Sequence, residues 1–346
     1  MNKKNRNINQ KSKPQLKKAK KKARRFSTLA IMSFFIFEIL FTTCTFPFML
    51  LYGPFKNAKS TYVGAAMTSM NHQYLAKCFL SDAKIAEILG QNSTETTNET
   101  TNTSQIQIPK VKDETIESYE MTDNSKYKGY YLVIKDSTRI KIGYTSKLNV
   151  EGETTSQIAI NNDAIAAING GGFTDKSSNQ DWTGNGGFPI GLIMSGGKVV
   201  FNDLGANGES DLLAITKEGV MLVGKYSVEK LQELGVQEAL SFGPSLVING
   251  KMTSMSGDGG WGIAPRTVIG QRKDGAIILL VIDGRGASSL GATLKEAQED
   301  IYKLGAVNAM NLDGGKSTTM YYDGDIINTP SNSMGERSIP TAIIVK

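Results

Sequence analysis

The chain has 346 residues and 40% apolar content, enough for one large domain or two small ones around a real core. Its net charge of +6 is uneven: residues 1–25 hold twelve Lys or Arg and no acid, which leaves −6 for the rest. The basic character therefore belongs to a tail, and it does not indicate a nucleic-acid partner, because the tail abuts an apolar run. With one histidine and two cysteines, a disulfide framework is excluded.

Residues 1–25 read as a basic cytoplasmic tail. Leu29 to Tyr52 is a run of 24 residues rich in Phe, Ile, Leu and Met, and about 20 suffice to cross a bilayer. Residues 26–55 are therefore expected to form a transmembrane anchor. The polybasic flank keeps the N-terminus in the cytoplasm and places the C-terminal part outside, in a single-pass cell-membrane protein. A cleaved signal peptide fits less well, since its apolar core spans roughly 7–15 residues. Glu38 within the run is costly in hydrocarbon; protonation or a polar partner helix would relieve it. Pro47 is expected to kink or end the helix. Cys44 lies in the run and Cys78 beyond it, so a disulfide between them is not expected.

Residues 56–126 read as a helix, from about Met70 to Leu89, followed by a low-complexity spacer over 91–105 that has nothing to bury. Asn92, Asn98 and Asn102 sit in N-x-Ser/Thr sequons, which arise readily by chance in an Asn/Thr repeat. From Tyr127 to the C-terminus the pattern turns to short β-type runs. These are punctuated by hairpin signals at Gly196-Gly197, Glu218-Gly219, Asn249-Gly250, Asp274-Gly275 and Asp323-Gly324. Two helices interrupt them: one over 227–234, and one opened by a Thr293/Glu296 capping box and stopped at Gly305. Each follows a hairpin and leads into a similar segment, 234–244 or 304–314. A pseudo-duplicated hairpin–helix–strand unit is inferred, which would set Gly243-Pro244-Ser245 and Asp313-Gly314-Gly315 across one cleft. The expected class is α+β: mixed β-sheets with few helices in a single extracytoplasmic domain, preceded by one transmembrane helix.

His72 lies ahead of the spacer, so the 127–346 domain has no histidine for a Ser-His-Asp triad, a Cys-His dyad or a histidine-ligated zinc. Proton transfer then falls to carboxylates, hydroxyls, amides or lysine. Asp283, Asp313 and Glu336 sit in Gly/Arg clusters at strand ends. Each is either a turn carboxylate capping backbone N–H groups or a catalytic group, and Asp313 leads because Gly314-Gly315-Lys316-Ser317-Thr318 follows it. Arg266, Arg285 and Arg337 offer planar donor forks suited to phosphate or carboxylate, or else structural ion pairs. Gly170-Gly171-Gly172 can form an anion nest. Gly314-Gly315-Lys316-Ser317 lacks the upstream glycine of a Walker loop. Trp182, Trp261 and Phe188, on Gly-rich loops, either stack on sugar rings or anchor the loops. Asp283 and Asp313 could hold a divalent cation through oxygen, although no loop has a recognisable metal spacing; no cofactor is otherwise indicated.

Six segments, in order, resemble the phosphodiester glycosidase domain family, which includes the lysosomal enzyme that uncovers mannose 6-phosphate and bacterial exopolysaccharide-associated proteins. They are Ala167-Ile168-Asn169-Gly170-Gly171 with Phe173, Phe242-Gly243-Pro244-Ser245-Leu246-Val247, Arg266-Thr267-Val268-Ile269-Gly270, Asp283-Gly284-Arg285, Asn311-Leu312-Asp313-Gly314-Gly315 and Gly335-Glu336-Arg337. Two departures stand out: a third glycine, Gly172, before Phe173, and Lys316 where the family usually has glycine. The resemblance implies a hydrolase that cleaves the sugar C1–O bond of a sugar-1-phosphodiester in an envelope or exopolysaccharide glycopolymer. Asp313 would be the catalytic carboxylate, with Asp283 or Glu336 second. Arg266, Arg285, Arg337 and Lys316 would meet phosphate, and Asn169, Asn311, Ser317 and Thr318 would hydrogen-bond the substrate. The alternative is a non-catalytic glycopolymer-binding or polysaccharide-assembly module.

Overall fold

The computed structural model describes residues 13–69, 72–90, 99–122, 124–174, 185–205 and 208–346. The start of the basic tail, the sequons at Asn92 and Asn98, and the Trp182 loop lie outside the described residues. The chain divides into two compact units, Met1–Lys59 and Ser60–Lys346. The first is dominated by helix α1, Lys13–Tyr52. Its Ser27–Tyr52 stretch is long and apolar enough to cross a membrane. Pro47 does not end α1: a proline costs the helix one hydrogen bond, and the helix runs on to Tyr52.

In the second unit, helix α2 (Lys56–Met67, entered from the first unit) is followed by α3 (Tyr74–Lys77) and α4 (Asp82–Gly90). The single helix expected near 70–89 is thus broken. Ser81 is the reason: its Oγ accepts from Lys84 N at 3.3 Å, so it caps the start of a new helix. This segment is folded, with Val63, Ala66, Ala76, Leu80, Ile85 and Ile88 all buried. The described end of the low-complexity spacer is also tied down. Thr101 bonds the Tyr226 hydroxyl and the Val223 backbone, and Asn102 N donates to Asn249 Oδ1 at 2.7 Å.

Three antiparallel sheets surround one core. The first has the order Ile116–Met121, Gly129–Ile134, Ile277–Ile282, Arg266–Arg272, Ala306–Leu312, Ser245–Ile248, Lys251–Met252. The second runs Met221–Ser227, Glu209–Thr216, Val236–Ser241, Leu192–Ser195, Lys198–Asn202. The third runs Asp325–Ile326, Met320–Tyr322, Ala166–Asn169, Thr341–Val345, Ile140–Tyr144. Leu279, Met310, Leu213, Leu240, Ile168 and Ile343 bring all three sheets to the shared core. The outer faces take one helix each: α5 (Thr155–Asn161) on the third sheet, α6 (Val228–Glu233) on the second and α7 (Leu294–Lys303) on the first. This explains the unbroken apolar run Ile277–Ile282. Alternate residues Ile277, Leu279 and Val281 face the core while Ile278, Leu280 and Ile282 face α7, so both faces are dry. Each such side chain stabilises the fold by about 1.5–3 kcal/mol.

The inferred duplication is visible in the topology. In both units the first hairpin strand is central, flanked by its hairpin partner and by the strand after the helix. The five hairpin signals all mark turns between paired strands. The two turn sites do not face across a cleft, however. Strand Ser245–Ile248 pairs with strand Ala306–Leu312, and Asn311 N and Nδ2 donate to Pro244 O and Gly243 O, so the two segments lie side by side. The structure adds a third helix, α5, opened by a Thr154/Gln157 capping box. The sheet also begins before residue 127, with edge strand Ile116–Met121, whose exposed and half-buried residues carry no apolar alternation.

Behind α7 the Tyr127 hydroxyl donates to Asp300 Oδ2 at 2.7 Å in a buried contact. Burial raises the Asp300 carboxyl above its usual value, and the Tyr127 bond partly offsets this. A raised folded-state pKa means stability that is full below the unfolded value and is lost as pH rises through the folded one. Tyr127→Phe removes a bond to the ionised form, so it is expected to cost about 1.5–3 kcal/mol at pH 7. At pH 4, where Asp300 is more fully protonated, the loss should be smaller. Urea melts at both pH values check this; an equal loss would dissociate the tyrosine from the charge.

Candidate active site

Two strand ends and a loop converge beside the first and third sheets. Strand Ala306–Leu312 runs out into Asp313-Gly314-Gly315 and a single 3₁₀ turn, Gly315–Ser317. The turn presses onto neighbouring backbone: Gly315 N donates to Pro265 O at 2.9 Å, and a Cβ on Gly314 would lie 2.7 Å from the same oxygen. Gly315 also has φ +62°, which an L side chain rarely adopts. Asp313 is clamped through its backbone, its N donating to Gly170 O at 3.1 Å and its O accepting from Asn169 Nδ2 at 2.5 Å. Asn169 Oδ1 accepts in turn from Thr267 Oγ1 and Thr319 N.

Strand Ile277–Ile282 ends in Asp283-Gly284-Arg285, and its two charged residues diverge. Arg285 has φ +60°, an unusual conformation for a side-chain-bearing residue and one that concentrates at functional sites. Its guanidinium and the Lys316 ammonium have no hydrogen bond or ion pair among the described residues; Arg285 is exposed, and partial desolvation by its neighbours lowers its pKa from the usual value. The third contribution is the loop 332–338. Glu336 receives Ser156 N at 3.0 Å and the Ser156 hydroxyl, at the start of α5, while Arg337 lies 4.6 Å over the Phe173 ring.

Arg285, Asp313, Lys316, Glu336 and Arg337 line one cavity of about 320 Å³, joined by Thr68, Ser69 and His72. Two carboxylates and three cations thus share a space large enough for a sugar phosphate. His72, expected outside the folded domain, is one of its walls. No sequence signal announced this, because residues 60–80 lack the strand-end glycine clusters that flagged the others. His72 Nδ1 lies 2.9 Å from Ser69 Oγ.

Other expected site residues take different positions. Arg266 does not line the cavity: it is buried, and its Nε and Nη2 donate to Ala292 O at 3.0 Å, Trp261 O at 3.2 Å and Gly262 O at 2.5 Å. Desolvation lowers it to about 10, with Asp258 opposing, which leaves it a cation at neutral pH. Its role is to hold the shelf on which Gly315 rests. Asp283 is likewise buried; Asn328 Nδ2 donates to it at 2.9 Å and Thr329 N at 3.0 Å, which ties the segment after the Asp325–Ile326 strand. Burial raises its carboxyl, against those bonds. Asn169, Asn311, Ser317 and Thr318 are buried, Asn169 against the Asp313 backbone, and among the described residues Asn311 Oδ1 and Ser317 Oγ have no hydrogen-bond partner. Among the described residues no three His, Cys, Asp or Glu converge as a metal site. Trp261 packs its edge on Phe242, with ring centroids 6.1 Å apart, so it anchors its loop, and Phe188 lies in a two-residue strand paired with Phe173–Thr174.

The profile of the phosphodiester glycosidase family matches residues 162–346. The chain is 29% identical over 217 residues to the SPbeta prophage-derived uncharacterized protein YomE of Bacillus subtilis, covering 60% of this chain and 31% of that protein. It is 39% identical over 70 residues to the bovine N-acetylglucosamine-1-phosphodiester alpha-N-acetylglucosaminidase, covering 20% of this chain and 13% of that protein. The chain therefore spans less than a third of the length of either curated relative. The catalytic domain of the zebrafish enzyme of the same name, solved auto-inhibited by its pro-peptide, superposes with a TM-score of 0.56. That match has 22% identity and covers 73% of this chain and 94% of that one, a likeness of fold. On its profile match and on the strand ends that bear its motifs, the chain belongs to the phosphodiester glycosidase family.

Proposed function

We propose that the chain is a membrane-anchored hydrolase that cleaves the C1–O bond of a sugar-1-phosphodiester in an envelope or exopolysaccharide glycopolymer outside the cell. The observation that carries this reading is the shared cavity, in which Asp313 and Glu336 stand with Arg285, Lys316 and Arg337. Water attacks C1 as the C1–O bond breaks, and the electron pair of that bond leaves on the phosphate oxygen. Asp313 takes a proton from the attacking water or stabilises the oxocarbenium-like sugar. Arg285 and Lys316, two cations without intramolecular partners among the described residues, offset the charge growing on the phosphate. The products are a free sugar and a phosphomonoester. Phosphate leaves as a weak base, so a strong general acid is dispensable.

The direct test is release of free sugar from a panel of GlcNAc-1-phosphodiesters by the full-length protein. Turnover supports the enzyme. Saturable binding of the glycopolymer without any turnover would replace it with a binding module.

The anchor reading rests on the apolar stretch Ser27–Tyr52 and the basic residues before it. Cys78 is exposed and is the only cysteine after that stretch. In intact cells it is expected to react with a membrane-impermeant maleimide, and Cys78→Ser should abolish the signal. Labelling only after cell lysis would reverse the orientation.

A further inference from the structure

The polar cavity continues into a second one of about 500 Å³, and Ser69, His72, Arg285 and Lys316 line both. The walls change character across this junction. The first cavity carries the carboxylates Asp313 and Glu336, whereas the second is lined by Tyr62, Ala65, Ala66, Leu75 and Ile263, with Ser331 and Ser333 at its edge. The Tyr62 hydroxyl is already used, directed to Leu75 O at 3.4 Å. These apolar residues come mainly from α2 and α3, outside the region matched by the family profile. Their placement is built in. Gly64 sits so close to the Gly260 backbone that a Cβ would lie 2.8 Å from Gly260 O, and Gly262 meets Ala65 in the same way. The helix is docked at a distance that only glycine permits.

A phosphodiester has the same three-part order: a hydroxylated sugar, a charged centre and an alcohol on the far side. We infer that the second cavity is the subsite for the alcohol portion, and that it selects phosphodiesters whose alcohol carries an apolar or aromatic group. This rests on the hydrolase reading and extends it. The sugar occupies the carboxylate cavity, the phosphate lies at the junction against Arg285, Lys316 and His72, and the apolar group is buried against Tyr62, Leu75 and Ile263. The helical segment after the membrane stretch thereby determines which phosphodiesters are cleaved.

The product phosphomonoester provides a test that is independent of turnover. Phenyl phosphate and glycerol 3-phosphate present similar charge and differ in the group beyond it. In calorimetric titrations of the full-length protein in lipid nanodiscs, phenyl phosphate is expected to bind about tenfold more tightly, from burial of its ring. Leu75→Asn should reduce that ratio towards one, and Lys316→Gln should weaken both ligands. Equal affinities in the wild type, or no binding of either, would overturn the inference. Equal affinities alongside sugar release would leave the hydrolase standing. A tenfold ratio without sugar release would keep the subsite and remove the hydrolysis.

Discussion

Asp313→Asn is expected to lower sugar release by about 10²–10⁴-fold, the scale of losing a positioned acid–base group. The substitution keeps the side chain's size and leaves its backbone clamps, Gly170 O and Asn169 Nδ2, untouched. It removes the charge from a position beside Arg285 and Lys316 in the cavity. A neutral amide can neither take a proton from water nor stabilise a cationic sugar. The melting temperature should stay within a few degrees of wild type, and phosphomonoester binding should persist, since the cations that hold phosphate are intact. Turnover within tenfold of wild type would move the catalytic role to Glu336.

Arg266→Met is expected to have the largest effect on stability. The guanidinium is buried and satisfies three backbone carbonyls, those of Trp261, Gly262 and Ala292. Methionine fills similar volume but leaves those acceptors without a donor, at a cost of about 3–5 kcal/mol. For a domain of this size the melting temperature should fall on the order of 10 °C. Activity should fall as well, because Gly315 N bonds to Pro265 O and Gly314 packs beside Arg266. Arg266→Lys should not rescue it, since an ammonium lacks the planar fork that reaches three carbonyls. A melt unchanged in Arg266→Met would show that the shelf stands without its arginine.

The contrast between Arg266 and Arg285 shows where sequence reading reaches its limit. Both follow the same pattern, an arginine beside glycine or proline at the end of an apolar strand. Which one faces the ligand depends on how the chain folds back on each: the nearby 261–262 carbonyls and the more distant Ala292 carbonyl converge on Arg266, and no such set reaches the Arg285 guanidinium among the described residues. Asp283 and Asp313 are likewise sorted by their surroundings: Asp313 lines the cavity and Asp283 does not. Asn328 and Thr329 arrive to occupy Asp283, and nothing in its local sequence records that. His72 is the reverse case. It sits in the turn before α3, with no glycine or charge cluster around it, and it becomes a cavity wall where Gly64 lets α2 dock against Gly260.

Local chemistry was readable wherever the physics is local. The hairpin turns follow from Gly and Asn residues that tolerate positive φ, as at Asn249 and Gly250. Helix α7 follows from its Thr293/Glu296 box, and the apolar stretch after the basic tail from composition alone. Even the duplicated unit could be recognised, since it repeats short-range order. Tertiary packing alone decided the assignment of charges: which carboxylates and guanidinia are consumed by backbone partners and which share a cavity. Burial and hydrogen-bond satisfaction are sums over neighbours from the whole chain, and a side chain's role is set by that sum.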